Sequence, residues 1–295
     1  MPLVSRGLGQ QQTHSYSALM TWKRLSQRTS GSEPDGPYAG IPPHLAGPLS
    51  DWLEAFYVHS SESSKRVAIL LRLPIPNGAT SSDRRYVMIQ AALRDEDLFL
   101  DMVDATLHIA KDRGMEQLPP RATQLKTLLA AAASTWTVTD GYDGLIEVVP
   151  AQTQEIFATA TSVQDEAASE LQTAWTHAFG RNGDASDAWD HAIKAIEDVL
   201  IPIVVPNIAK ATLGHVVGVL GSPQSAAQWK FGLPGHDLTE DVAPFVALLR
   251  LIWPNHDRHG GGPRRTPTID EARMVTTLAA LIVQWSRQGS FLSKR

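Results

Sequence analysis

Arg250-Leu-Ile-Trp253-Pro-Asn255-His256-Asp257-Arg258-His259-Gly-Gly-Gly262 is the stretch on which the reading of this chain turns. It separates two apolar helical patterns, one over 241–253 and one over 268–285, and so reads as a polar loop between two helices. Pro254 stops the first helix. Thr268 and Glu271 form a capping box for the second, whose stripe is Ala272, Val275, Leu278, Ile282 and Trp285. Within ten residues the loop gathers two His, two Arg, one Asp and one Asn, then breaks into three glycines. No other segment concentrates groups that move protons and hold an anion.

Working upstream, helical spacing continues. Trp189, Ile193, Ile196 and Leu200 line one face of a helix that Pro202 and Pro206 should end. Asp190 and Lys194, and Lys194 and Asp198, are i,i+4 pairs. Thr212 is placed to cap a short helix with Leu213, Val216, Val217 and Leu220 inward, and Trp229 falls in a loop. This gives a bundle of about four helices over 186–288. A long helix is expected over 151–179, with Gly180 ending it and a linker after it, so a domain boundary is expected near 150 or near 180.

The first half is also helical, at 42–56, 64–72, 84–93, 95–111 and 120–133. One segment changes period. Thr135-Trp-Thr-Val-Thr139 and Leu145-Ile-Glu-Val-Val149 flank the turn Asp140-Gly-Tyr-Asp-Gly144, which reads as a β-hairpin. Residues 1–40 are rich in Gly, Ser, Gln and Pro, a composition that predicts disorder. The fold class is therefore mainly α: a helical N-terminal domain over 41–150 with one hairpin at 135–149, then a C-terminal helical bundle.

Composition narrows the chemistry. The 295 residues include no cysteine, which removes disulfides and thiolate catalysis and fits a cytoplasmic location. No apolar window is long enough for a membrane span, and residues 1–12 lack a signal-peptide core. Net charge is −5, but from Arg250 onward eight basic residues face three acidic ones, a net +5 that leaves −10 upstream. Such asymmetry fits an anion-binding face or a solvated helix end. A Gly-rich phosphate loop and a Gly-x-Ser-x-Gly elbow are both missing, and no His-x-x-x-His spacing occurs. The acidic run Asp95, Glu96, Asp97, Asp101 and Asp104 suits a helix start better than a metal site. The tryptophans fall mostly on apolar stripes, where core packing explains them.

The order helix, Thr212-Leu213-Gly214, helix, an Arg-bearing helix leading into His259-Gly260, then a closing apolar helix resembles the abortive-infection C-terminal domain of the HEPN superfamily. The resemblance covers about 186–288. Upstream, Gly40-Ile-Pro-Pro-His-Leu and Gly180-Arg-Asn resemble uncharacterised bacterial proteins carrying the same tail. The resemblance implies a metal-independent ribonuclease in phage defence or stress, without cofactor, acting on RNA as a homodimer, with a defence-system protein as another partner. Its motif is an Arg, commonly followed by Asn, with a His four to six residues later. Arg250 to His256 fits that spacing; Arg250 to His259 is longer, but His259-Gly260 matches the ending. Leu251 departs from the Asn pattern, and Asn255 is the substitute for it.

The residues carry the same chemistry on their own terms. Cleavage by the RNA 2′-OH needs a proton acceptor, a proton donor for the leaving 5′-oxygen and positive charge on the phosphorane. Histidine titrates close to neutrality and arginine presents a fixed cationic fork. The catalytic candidates are thus His259 as general acid or base, Arg258 or Arg250 on phosphate, and His256 as second proton carrier. Asp257 and Asn255 would support them, and Arg264 and Arg265 would bind RNA. A non-catalytic protein of the same fold that binds RNA, a nucleotide or a partner, or a helical interaction scaffold, is the alternative.

Overall fold

The computed structural model describes residues 25–30, 36–233, 240–253, 255, 265–289 and 291–295. The chain is mainly helical, with two small antiparallel two-stranded sheets. It divides into two compact units, Met1–Val148 and Val149–Arg295.

In the first unit a short helix α1 (Leu25–Ser30) precedes α2 (Pro43–His59), α3 (Ser61–Leu70), α4 (Ser81–Ala92), α5 (Glu96–Asp112) and α6 (Leu118–Ala131). Helix α2 opens with Pro43 in its first turn, where a missing N–H costs nothing, and buries Leu45, Leu49, Trp52, Leu53 and Phe56. Helix α5 is the most apolar-faced of the set. Phe99, Leu100, Met102, Val103 and Leu107 are all buried in a core shared with α2, α3, α4 and α6. Tyr57 is fully buried there, with its hydroxyl 2.7 Å from Thr106 Oγ1, and burial pushes its phenol above the ordinary range.

The expected hairpin is present. Strands β1 (Trp136–Val138) and β2 (Leu145–Glu147) pair antiparallel with Thr137 opposite Ile146. Two three-residue strands are marginal alone, and α5 supplies the anchor. Asp104, 5% exposed, accepts the Leu145 N–H at 2.6 Å, and a Cβ on Gly144 would lie 2.8 Å from the same carboxylate. Residues 36–40 fall within the stretch read as disordered, yet Tyr38 exchanges backbone bonds with Ala133 and Thr135, both 2.8 Å, and Trp136 Nε1 donates to Ala39 O. Asp104→Ala should destabilise the first unit by about 1–3 kcal/mol, because it leaves a buried N–H without its charged acceptor. Thermal unfolding followed by circular dichroism would show this as a lowered melting temperature, and an unchanged one would contradict the anchoring role.

In the second unit the helix expected over 151–179 is two helices, α7 (Ala151–Ala160) and α8 (Glu166–Phe179). The break has a local cause: Asp165 is an N-cap whose Oδ1 accepts the Ala168 N–H at 2.9 Å. Arg287 closes the break from outside, donating to both Asp165 oxygens at 2.8 and 2.9 Å and to the Ala160 carbonyl at 2.5 Å. Helix α9 (Ala185–Val204) is the centre of the unit, packed on α8, on α10 (Leu213–Gly221) and on α13 (Ile269–Arg287). Pro202 does not end α9 but lies inside its last turn, and the helix runs to Val204. Helix α12 (Ala243–Ile252) packs on α10.

A second sheet joins segments far apart in sequence. Strand β3 (Trp229–Phe231) follows the short α11 (Pro223–Ala226) and pairs antiparallel with β4 (Leu292–Lys294). Trp229, expected in a loop, is therefore in a strand and buried. Phe231, Phe245, Trp285 and Phe291 form an aromatic cluster beneath it. No helix among the described residues is long and apolar enough to cross a membrane.

Candidate functional site

Helix α12 presents Phe245, Val246, Leu249 and Ile252 to the core and leaves Arg250 and Leu251 exposed. Its C-terminal end is held from α9, where the Trp189 indole donates to the Ile252 carbonyl at 2.9 Å in the interior. That bond satisfies one of the carbonyls a helix terminus leaves open and fixes the point where the chain departs toward 255. Trp253 then lies half-buried against α10.

The Thr212-Leu213-Gly214 motif explains that contact residue by residue. Thr212 caps α10 with His215, whose Nδ1 accepts the Thr212 N–H at 3.1 Å. Leu213 is buried, and its N–H donates to Glu197 Oε1 at 2.6 Å. Gly214 leaves room for Trp253: a Cβ there would be 2.8 Å from Nε1 and 3.1 Å from Cε2. At the other end of α10, a Cβ on Gly221 would be 2.8 Å from Nη2 of Arg250. The guanidinium thus lies against bare helix backbone, and no carboxylate among the described residues forms an ion pair with it.

Three candidates from the sequence fall within the described residues. Arg250 is exposed in the last turn of α12. Asn255 is buried, 1% exposed, so its side chain belongs to the interior beside α12. Arg265 is engaged with Glu271, both nitrogen–oxygen distances being 2.8 Å. Glu271 also accepts the Thr268 N–H at 2.9 Å, which completes the expected capping box at the start of α13. Arg265 therefore buttresses a helix cap. His256, Asp257, Arg258, His259 and Arg264 lie outside the described residues.

The Arg265 fork and the Thr268 N–H hold the Glu271 carboxyl down to about 2, from an ordinary 4.5. A folded-state value below the unfolded one stabilises the fold above the unfolded value, and the contribution is lost as pH falls toward the folded one. The α13 cap should therefore loosen between about pH 4.5 and 2. In an acid titration followed by amide exchange at 268–272, Glu271→Gln should flatten that limb. An unchanged limb would contradict the assignment.

One cluster was not anticipated. His191 on α9 has Nδ1 2.5 Å from Glu170 Oε2 on α8, and its ring stacks on His177 of α8 with centroids 6.1 Å apart and planes within 2°. Glu197, six residues further along α9, is engaged elsewhere and accepts the Leu213 N–H. Only the antiparallel return of α9 along α8 brings 170, 177 and 191 together, a relation that intrahelical spacing does not reveal. Among the described residues no group of three His, Asp or Glu is arranged to hold a metal ion. In the acidic run at α5, Asp95 caps Leu98, Glu96 accepts the Ile41 N–H and Asp104 holds Leu145. Compared with protein-family models, curated proteins and solved structures, the chain matches none.

Proposed function

We propose that the C-terminal unit is an RNA-cleaving enzyme of the HEPN type, working without a metal ion in phage defence or stress. The observation that carries this reading is the placement of Arg250: a solvent-facing guanidinium, seated on the backbone of Gly221, at the end of the helix that leads into His256 and His259. A guanidinium in that setting is available to a phosphate, and two imidazoles within nine residues supply both proton transfers. One takes the proton of the 2′-OH as O2′ attacks phosphorus; the other protonates the departing 5′-oxygen. Arg250 and Arg258 balance the charge on the phosphorane, and Asp257 orients an imidazole. A second copy of the chain contributes to the cleft in this reading, and a defence-system protein is its further partner.

The test is incubation of the purified chain with total bacterial RNA in EDTA. Discrete cutting is the expected result. RNA left intact at every protein concentration would contradict it. A second reading, RNA binding without cleavage, is favoured by one observation: Leu251, next to Arg250, is 72% exposed where a polar side chain would serve catalysis. Salt-dependent retention of uncut RNA would point to that reading.

A further inference from the structure

The dipeptide Asn-Gly occurs twice, at Asn77-Gly78 and at Asn182-Gly183, and the fold treats the two copies differently. It carries a chemistry of its own. The backbone nitrogen that follows an asparagine can attack the side-chain carbonyl, and glycine, with no Cβ, leaves that nitrogen least hindered. The N–Cγ bond forms as the nitrogen gives up its proton, and the Cγ–Nδ2 bond breaks with Nδ2 leaving as ammonia. Water then opens the cyclic imide at either carbonyl. Opening at Cγ gives aspartate; opening at the backbone carbonyl gives isoaspartate, in which the main chain runs through the former side chain. One water is consumed and one ammonia released, with no oxidation.

Asn77 and Gly78 are the central residues of a turn between α3 and α4, closed by the Ala79 N–H on the Pro76 carbonyl at 3.2 Å. Both are exposed. Gly78 takes φ 76°, the left-handed value such a turn asks of its second central residue, and a Cβ there would meet nothing within 4 Å. Among the described residues neither the Gly78 N–H nor the Asn77 side chain has a hydrogen-bond partner. The chain is fixed only on either side of the turn, where Ile75 packs on the core and Thr80 caps α4 with Asp83. Rotation that brings the Gly78 nitrogen onto Cγ of Asn77 therefore displaces no packed side chain and breaks one long hydrogen bond.

Gly183 is clamped instead. Its N–H donates to the Gly180 carbonyl at 3.2 Å, and a Cβ there would collide with the His177 carbonyl oxygen, so its Cα is pressed onto the end of α8. Asp184 follows directly and caps α9, accepting the Asp187 N–H at 2.9 Å. The nitrogen that would have to turn toward Asn182 is thus held between two helix ends.

We propose that Asn77 is a site of spontaneous deamidation in the folded protein, which acquires aspartate and isoaspartate at 77 while Asn182 is spared. Each conversion adds one negative charge just ahead of the N-terminus of α4, where the helix dipole favours it. The isoaspartyl form is a substrate for a methyltransferase that takes its methyl group from S-adenosylmethionine. The site is separate from Arg250 and stands or falls independently of the RNA reading.

The full-length chain is kept for weeks at mildly alkaline pH, which draws the proton from the attacking nitrogen, and in parallel in urea. Trypsin separates the two sites, since Arg72, Arg84, Arg181 and Lys194 place them in peptides 73–84 and 182–194. A fresh sample digested alongside corrects for conversion during digestion. In the folded chain peptide 73–84 is expected to gain the mass of OH replacing NH2, roughly tenfold or more faster than 182–194, because only the second site must open locally first. Its product should resolve into two isomers, one of which accepts a methyl group from S-adenosylmethionine and an isoaspartyl methyltransferase. In urea the two peptides should convert at comparable rates, and Asn77→Gln should lose the change at 73–84. An unchanged peptide 73–84 in the folded chain would overturn the proposal, as would conversion of 182–194 at an equal or greater rate there.

Discussion

His259→Ala and Arg250→Ala are expected to reduce cleavage of RNA in EDTA by roughly 10²–10⁴-fold each, while both variants keep the helical spectrum of the wild type. The magnitude is that of a removed proton carrier or of a removed cationic contact with a charge that develops in the transition state. Arg250 is exposed and its guanidinium rests on Gly221, so truncation leaves no buried charge and no cavity. A folding explanation for lost activity is therefore weak at this position. Arg250→Lys separates two roles further. Lysine keeps the charge but loses the planar fork, so partial activity means point-charge stabilisation, and none means fork geometry. Unchanged cutting by both alanine variants would remove the loop from the mechanism.

The second large effect is a contrast between two glycines four residues apart on α10. Glycine to alanine inside a helix ordinarily stabilises by about 0.5–1 kcal/mol. At Gly218 a Cβ meets nothing within 4 Å, and Gly218→Ala should show that gain. At Gly214 the same methyl would come to 2.8 Å from the Trp253 indole nitrogen, with two ring carbons at 3.1 and 3.2 Å. The half-buried ring must shift, an overpacking cost of about 1–3 kcal/mol that outweighs the helix gain. Gly214→Ala should therefore lower the unfolding midpoint in urea while Gly218→Ala raises it. Since Trp253 begins the chain's departure from α12, Gly214→Ala should also lower RNA cleavage. Equal effects of the two substitutions would contradict the account of the Thr212-Leu213-Gly214 motif.

Much of the fold was legible because helices advertise themselves locally. The stripes at Leu45–Phe56 and at Ala272–Trp285, the capping box at Thr268 and the turn at 140–144 are all short-range signals, and each corresponds to an observed element. What was missed depends on contacts distant in sequence. Strands of three residues at 229–231 and 292–294 carry too little pattern to announce a pairing across some sixty residues. The break between α7 and α8 was hidden because Ala160, Val163 and Ala167 continue the apolar spacing through Asp165, whose capping oxygen and whose partner Arg287 decide the matter. Pro202 was weighted as a stop, yet α9 runs two residues past it, to Val204; the proline forfeits one i→i−4 bond, and the helix closes within the same turn.

The candidate site divides in the same way. The exposed position of Arg250 follows from its place in the last turn of an amphipathic helix whose inward face is Phe245, Val246, Leu249 and Ile252. The burial of Asn255 was not legible, because a polar residue just past a helix end carries no local signal of being covered. Nor was the engagement of Arg265 with Glu271, since a capping glutamate has a spare oxygen for any nearby guanidinium and the sequence does not say which one takes it.

The most direct test of the central claim is the chemical identity of the ends on RNA cut by the wild-type chain in EDTA. Attack by the 2′-OH predicts a 2′,3′-cyclic phosphate on one fragment and a 5′-hydroxyl on the other. It also predicts that a single 2′-deoxy nucleotide at the cut position abolishes cleavage there. Fragments ending in 3′-hydroxyl and 5′-phosphate, or undiminished cutting at the deoxy position, would contradict it.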